Sequence, residues 1–513
     1  MLRMERRIRW QFAIALLAAI GCTRPSNDEL GKWIEAKAIP LRTSDPRAPL
    51  DDLEPLRGLI GNATVAGLGE ATHGTSDFFR MKHRIFEYLV ERMGFTVFAI
   101  EANLPEAFAV NDYVLTGKGD PKAALHGLYF WTWDTTEVLD LIEWMRRWNA
   151  DPRHVMKLKF YGVDMQFTPV AARNVITALP AGDPARAALE PLTLKRRLTA
   201  EEREIASRAI ERIVPQLKDD VVQRNAIVLR QAMQMTDHRS ARDEAMAGNL
   251  LWIRQREPGA KIAVWAHNGH ISRDSKYRPM GWHLAGALGQ SYVPLGFAFG
   301  EGRFRARQIG HARLPLHTFT VPLNDPGTLD GELARHGPPM FIIDMRTAPP
   351  GVVRRLVKGM PIRFAGSTYG PMMMSAQYSQ GDFALLLFIR NTTESHPVQR
   401  PTASSSSSSS RRQMSASSTS IFACGIAIRT PFAISTSAEL RRYSLTCVRP
   451  ASPHPAARAI VPTFVSVSSS CARMSPACIV SCPTMLDVPE MKSVSPNTVA
   501  RANDGLRRPY CRG

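Results

Sequence analysis

The sequence predicts an α/β fold, with a central mostly parallel sheet flanked by helices, a helical insertion and a disordered C-terminal tail. Three observations carry this. Short apolar runs at Val65–Leu68, Thr96–Ile100, Lys159–Val163 and Ile262–Trp265 have the length and composition of strands. The runs in the first part of the chain alternate with segments of helical spacing. Two later runs, Met340–Asp344 and Phe383–Ile389, are continuously apolar, as suits inner strands covered on both faces.

Taken in order, the chain begins with a basic stretch, Arg3, Arg6, Arg7 and Arg9, followed by the short apolar run Phe12–Ile20. That run is too short to span a bilayer comfortably as a stable helix. It ends in Ala19-Ile20-Gly21-Cys22, which resembles a bacterial lipobox. Residues 1–21 are therefore expected to be a signal peptide and Cys22 a lipidation site. The protein would be exported, either membrane-anchored through that lipid or periplasmic. Residues 22–52 are expected to form a linker, with a short helix within Asn27–Pro46, and the main domain to span 53–395.

Inside that domain, Val65–Leu68 leads into Gly69-Glu70-Ala71-Thr72-His73-Gly74. Phe78, Met81, Ile85, Phe86, Leu89 and Val90 follow at helical spacing, and Gly94 stops the helix. A helix is expected after Pro105, and another after Trp131-Thr132-Trp133-Asp134, capped by Asp134 or Thr135. From about 169 to 256 the strand signal vanishes. Runs rich in Arg, Ala, Glu, Leu and Met predict a helical insertion whose charges form a solvated face. Strands resume at Ile262–Trp265 and Tyr292–Phe299, then at the two late apolar runs.

Beyond Ser395 the composition changes. Ser404–Ser410 is a homopolymer, Lys492 is the only lysine, and six of the seven cysteines appear here. Residues 396–513 are read as a low-complexity tail, disordered or translated out of frame. The tail also carries 14 of the 65 basic residues but only 4 of the 46 acidic ones, so it accounts for about half of the net charge of +19. The excess left on the main domain is mild, and no basic stripe is interleaved with aromatics, so no nucleic-acid partner is expected. No cysteine occurs between Thr23 and Ala423. The main domain therefore has no disulfide, no zinc–thiolate site and no cysteine nucleophile.

The chemistry lies where the strands end. Val65–Leu68 runs into Glu70 and His73, Thr96–Ile100 ends on Glu101, Lys159–Val163 on Asp164, and Ile262–Trp265 on Ala266-His267-Asn268-Gly269-His270. Ligands of open α/β sheets bind outside the carboxyl ends of the strands. Gly67-x-Gly69 lacks the dinucleotide spacing, and Glu70 beside a pyrophosphate would repel it. There is no P-loop, no G-x-S-x-G elbow and no H-E-x-x-H. Water activation by acid–base groups remains. His73 can take a proton from water near neutral pH, with Glu70 or Glu101 fixing its tautomer. Lys82, His267 or His270 could stabilise an oxyanion. Trp131, Trp133 and Tyr129 could wall a bulky substrate. His73, His267, His270 and a carboxylate could instead hold a metal, although two histidines at His267-x-x-His270 alone are an incomplete site. The same histidines and tryptophans could also serve a non-enzymatic haem-binding or apolar-ligand lipoprotein.

At these residues the chain resembles the erythromycin esterase family. The resemblance is carried by Gly69-Glu70-Ala71-Thr72-His73-Gly74-Thr75, Phe95–Glu101, Tyr161-Gly162-Val163-Asp164, Arg242-Asp243-Glu244-Ala245-Met246-Ala247 and Val264–His270, over about Leu53–Ser395. It implies metal-independent hydrolysis of an ester or lactone, macrolide-type in the best-known members, with no cofactor. It assigns the base to His73, carboxylates to Glu70 and Glu101, and a further histidine to His267. It sets Arg242 and Asp243 in the same cleft, with Asp164 and His270 in support. Macrolide-opening relatives carry Arg at the position of Lys82, which keeps the charge but lacks the planar fork.

Overall fold

The computed structural model describes residues 28–235, 239–309, 315–370 and 375–399. The segment expected to be a signal peptide, Cys22 and the tail beyond residue 399 lie outside the described residues. Among the described residues, no helix is long and apolar enough to cross a membrane.

The described strands are β1 (Ile39–Pro40), β2 (Val65–Leu68), β3 (Phe95–Asn103), β4 (Lys159–Asp164), β5 (Lys261–Trp265), β6 (Tyr292–Gln308), β7 (Leu316–Val321), β8 (Met340–Asp344), β9 (Met360–Arg363), β10 (Thr368–Tyr369), β11 (Ser375–Tyr378) and β12 (Leu385–Thr392). β9 and β11 pair with each other. The others form one sheet in the order β1-β8-β12-β6-β2-β5-β3-β4, with β7 and β10 added along β6. From β12 to β4 every neighbour is parallel. β8 is antiparallel to β12, and β1 to β8. The expected α/β architecture with a mostly parallel sheet is the one observed.

Parallel strands are buried on both faces because their crossover helices cover them. The side chains divide accordingly with a period of two. Val65, Val97, Ala99, Ile262 and Val264 join one apolar cluster. Ala66, Leu68, Phe98, Ile100, Ala263 and Trp265 join the cluster on the opposite face. The helix Ser76–Met93 packs its Phe78, Phe79, Ile85, Phe86 and Leu89 into that second cluster. Its amide ladder ends at Gly94, whose φ of 72° is left-handed and suits glycine. Thr135 caps the helix Thr136–Ala150 by accepting from the Val138 amide. The insertion holds the helices Pro169–Ala178, Ala185–Leu189, Ala200–Ile213, Asp220–Gln234 and Arg239–Arg256.

Three sequence boundaries need correcting. The segment expected as a linker belongs to the domain: the helix Asp28–Lys37 buries Leu30, Trp33 and Ile34, and β1 then joins the sheet edge. β6 runs on past Phe299 to Gln308, where β7 pairs with it. The alternation Arg303-Phe304-Arg305-Ala306-Arg307 is a strand pattern obscured by its charges. The ordered body also extends past Ser395: Thr136 N–H donates to His396 O (2.7 Å), and Val398 N–H to Asp134 O (3.2 Å).

Register places the site. Leu68 lies opposite both Trp265 and Leu295, and Ile100 opposite Trp265. Leu68, Ile100 and Trp265 are therefore level in three parallel strands, and the residues that follow them, Glu70, Glu101 (still within β3) and His267, emerge at one rim.

Candidate active site

Glu70 follows β2 and is wholly buried. Its Oε1 meets His73 Nδ1 at 2.6 Å. Its Oε2 accepts from Trp265 Nε1 at 2.7 Å and from the Lys82 ammonium. Burial alone would raise this carboxyl, but Lys82 and His73 outweigh it and hold it below the usual carboxylate value. An ionised Glu70 accepts from His73 Nδ1–H, so the basic lone pair of His73 sits on Nε2. The turn that carries the pair is pinned at Gly74. Its carbonyl accepts from the Arg305 and Ser395 amides at 3.0 and 2.9 Å, and any Cβ there would come within 2.0 Å of Arg305 O.

Lys82 lies behind this pair rather than in front of it. Its side chain is 0% exposed, and its Nζ stands 4.1 Å from the Trp265 ring centroid. Burial pulls its pKa down to about 8 against the opposing pull of Glu70. The expectation that Lys82 meets a substrate oxyanion is therefore corrected. Helical spacing aims residue 82 at the sheet, and the Glu70 carboxylate stands between it and the rim.

His267 follows β5. Its amide donates to Glu101 Oε2 at 2.9 Å. Its Nδ1 accepts from the Gly269 amide at 3.2 Å, which puts the ring proton on Nε2. That Nε2 is buried and has no hydrogen-bond partner. Burial first, then His73, lowers the imidazole to about 3, so it is neutral at working pH. The His73 and His267 rings lie 4.9 Å apart between centroids. One offers a lone pair and the other an N–H.

Beside them is a charge network. Arg242, from the insertion, gives Nη2 to Glu101 Oε1 (2.8 Å) and to Asp164 Oδ2 (2.6 Å), and Nε to Asp164 Oδ1 (3.1 Å). His270 Nδ1 bonds Asp243 Oδ1 at 2.7 Å, and its Nε2 lies 3.3 Å from Glu101 Oε1. Burial and Arg242 both oppose a charge on His270, but Asp243 and Glu101 outweigh them and hold it at about 10. Glu101 lies well below the ordinary carboxylate value: burial would raise it, and His270, His73 and Arg242 overcome that. Three carboxylates thus surround two cations, and Glu101 anchors the His267 backbone rather than His73.

The structure therefore brings together Glu70, His73, Glu101, Asp164, Arg242, Asp243, His267 and His270. Trp133 joins them, edge-on to His73 at 5.8 Å, with Nε1 donating to Glu101 O at 2.8 Å. Trp131 lies apart, under the Arg305 guanidinium at 6.0 Å. Tyr129, at φ 66°, faces Phe167 and Lys195. Three contributors were missed in the sequence. Trp265 closes the Glu70 shell, and its signal was available, since it shares the Ala263 face of β5. Asn268 exchanges two amide bonds with Phe297 of β6 (2.7 and 3.0 Å) and so fixes the His267 turn. Phe364 lies 4.3 Å from His267, and nothing local in its sequence marks it.

Among the described residues, no group of three or more His, Cys, Asp or Glu is placed to hold a metal ion. The donor set explains this. His73 Nδ1 is committed to Glu70, His270 Nδ1 to Asp243, and the Arg242 guanidinium lies against His270 Nε2 and the carboxylates a metal would need.

A model of the erythromycin esterase family matches residues 90–392, which include Glu101, Asp164, Arg242, Asp243, His267 and His270. Erythromycin esterase type II of Escherichia coli is 25% identical over 332 residues, covering 54% of this chain and 78% of that protein. A crystal structure of a Bacillus cereus protein aligns over 73% of this chain and all of its own, at 30% identity and a TM-score of 0.67. An erythromycin esterase EreC mutant in its open conformation shares the fold, with a TM-score of 0.53 at 16% identity over 68% of this chain and 96% of that one. The family supports a hydrolase of the esterase type, and its match covers more than half of the sequence. The matched residues include the ends of β3, β4 and β5 at that site, and this chain belongs to the erythromycin esterase family.

Proposed function

We propose that the protein hydrolyses a small-molecule ester or lactone by direct attack of a water molecule that His73 activates, without a covalent acyl-enzyme. The observation that carries this reading is the pair of imidazoles in complementary tautomers, 4.9 Å apart between ring centroids. Glu70 fixes His73 so that Nε2 is the base. As Nε2 removes a proton from water, the hydroxide forms a bond to the carbonyl carbon, and negative charge develops on the carbonyl oxygen. His267 Nε2–H, buried and unpartnered, is the donor suited to that oxygen. Collapse of the tetrahedral intermediate breaks the bond to the alcohol, which takes the proton held by His73. Trp265 and Lys82 keep Glu70 ionised. Arg242, Glu101 and His270 hold the His267 backbone in place.

Relatives bear the name erythromycin esterase, so a macrolide is the first substrate to try. Export and lipid attachment at Cys22 belong to the same proposal, and the mass of the Cys22 peptide from cells tests them. The chemistry is tested by turnover of aryl esters and macrolides in ¹⁸O-water under single-turnover conditions. Direct attack places the label in the product acid and leaves the enzyme mass unchanged throughout. An acyl-enzyme adduct, or no hydrolysis of any ester or lactone, overturns it.

A further inference from the structure

A cleft of about 540 Å³ opens between the C-terminal ends of the helices Ser76–Met93 and Thr136–Ala150, lined by Glu91, Trp144, Arg147, Trp148, Asp151 and His154. That volume falls within the roughly 300–1,000 Å³ of small-molecule sites. Trp133, beside His73, stands three residues before the second helix, whose 15 residues span about 22 Å. The cleft and the catalytic rim therefore lie at opposite ends of that helix. None of the six lining residues takes part in the chemistry proposed above.

The walls of the cleft are aromatic and held in place. Trp144 and Trp148 lie 5.7 Å apart between centroids, tilted at 41°. Trp144 is braced edge-on by His83 and Phe86, at 5.7 and 5.8 Å. The His154 ring is stacked flat on Trp148, at 3.5 Å and 4°. The turn that carries His154 is tied down in its own right. Lys157 Nζ donates to Asn149 O (3.0 Å) and His154 O (2.7 Å), and the Asn149 carboxamide exchanges two bonds with the Leu158 backbone (2.7 and 2.8 Å). A surface fixed before its ligand arrives loses little entropy on binding.

The polar groups decide what fits. Asp151 is matched by Arg153, which gives it Nε at 3.0 Å and Nη2 at 2.5 Å. Glu91 and Arg147 then supply one charge of each sign, so the cleft as a whole is neutral. His154 Nδ1 lies 3.0 Å from Trp148 O; an N–H there donates to that carbonyl and leaves Nε2 an acceptor in the uncharged ring. The Trp148 Nε1–H makes no hydrogen bond. Two donors, Arg147 and Trp148, and two acceptors, Glu91 and His154, thus surround an indole wall. An ammonium would meet Arg147, an anion would meet Glu91 and Asp151, and a purely apolar ligand would leave the indole N–H unpaired. A neutral ring with hydroxyls at its edge and C–H groups on its faces suits them all. We propose that this cleft is a carbohydrate-binding site, separate from the catalytic rim, which takes a neutral pyranose unit against Trp144 and Trp148. The inference does not rest on the ester-hydrolase reading.

The experiment titrates the full chain with cellohexaose, maltohexaose and chitohexaose by isothermal calorimetry, with tetramethylammonium and phosphate as charged comparisons. At least one of the neutral saccharides is expected to bind saturably, and neither ion to bind. Trp144→Ala is expected to abolish the heat of binding. Trp148→Phe keeps an aromatic ring but removes the N–H, and is expected to weaken binding about 5- to 10-fold, as for one lost hydrogen bond. Turnover of aryl esters is expected to match the wild type in both variants, since neither residue lies at the catalytic rim. Trp148→Phe changes little volume, so its result stands even where Trp144→Ala unfolds the helix end. Failure of all three saccharides to bind overturns the proposal, as does binding of either ion in their place. Saccharide binding that survives both substitutions puts the site elsewhere and overturns it as well.

Discussion

Lys82 and Glu70 form an ion pair in which both side chains are 0% exposed. A lysine this deep has no substrate to touch, and its partner is the carboxylate that fixes His73. Removing one member of a buried pair leaves an uncompensated charge, which costs about 3–5 kcal/mol. Lys82→Met is therefore expected to lower unfolding stability by that order in a urea titration. It should also lower kcat, because an unpaired Glu70 takes up a proton and no longer accepts from His73 Nδ1. Lys82→Arg keeps the charge among the Phe79, Trp265 and Phe297 rings and is expected to lose less of both. Wild-type stability and turnover in Lys82→Met would show that the pair does not govern Glu70.

His73→Ala is expected to cut kcat at least about 10²-fold, the low end for loss of a general base, with the fold intact by circular dichroism. Glu70→Gln should act in the same direction, through the tautomer and through the charge it leaves unpaired on Lys82. Near-normal turnover in the alanine variant would remove His73 from the mechanism.

Glu106 lies in the first turn of the helix Leu104–Thr116, 4% exposed, and neither of its carboxylate oxygens has a hydrogen-bond partner. Burial raises its pKa from 4.5 to about 7. Below the unfolded value both states are protonated and nothing is lost. Between 4.5 and about 7 the unfolded chain ionises first, so stability falls as pH rises through that window. Glu106→Gln should remove this slope and stabilise the protein at pH 8 by up to about 3 kcal/mol, given about 1.4 kcal/mol per unit. Parallel pH–stability curves for the variant and the wild type would refute it.

How much of this could be read from sequence depended on whether a contact was local. The parallel strands and their charged ends were legible because alternation and length are properties of short segments. His73 and Glu70, three residues apart, could be paired on sight. Arg242 was placed in the cleft only through resemblance, since its bonds to Glu101 and Asp164 cross much of the chain. Lys82 was assigned to the wrong side of Glu70, because a charged residue near a rim reads as a substrate contact until burial is known. Phe364 carried no signal, being set against His267 by backbone pairing between distant segments.

The domain boundary gives a further expectation. His396 bonds Glu137 through its ring at 2.7 Å as well as Thr136 through its carbonyl. A chain ending at Gln399 is therefore expected to keep full stability and turnover. One ending at Ser395 should melt several degrees lower, each lost hydrogen bond being worth about 1 kcal/mol. Equal melting temperatures by calorimetry would place the boundary back at Ser395.

The anchoring of Gly74 by Arg305 and Ser395 also fixes the timetable of assembly. The catalytic turn leaves the ribosome early, and the two amides that hold its carbonyl leave it long afterwards, the second near the end of the folded body. Contacts so far apart in sequence form slowly and after local structure. A partly synthesised chain can hold Glu70 against Lys82, but it has nothing to seat the turn between them and the rim. Esterase competence is thus expected only once Ser395 has been made, and a chain cut short of that residue is expected to be inert rather than weakly active.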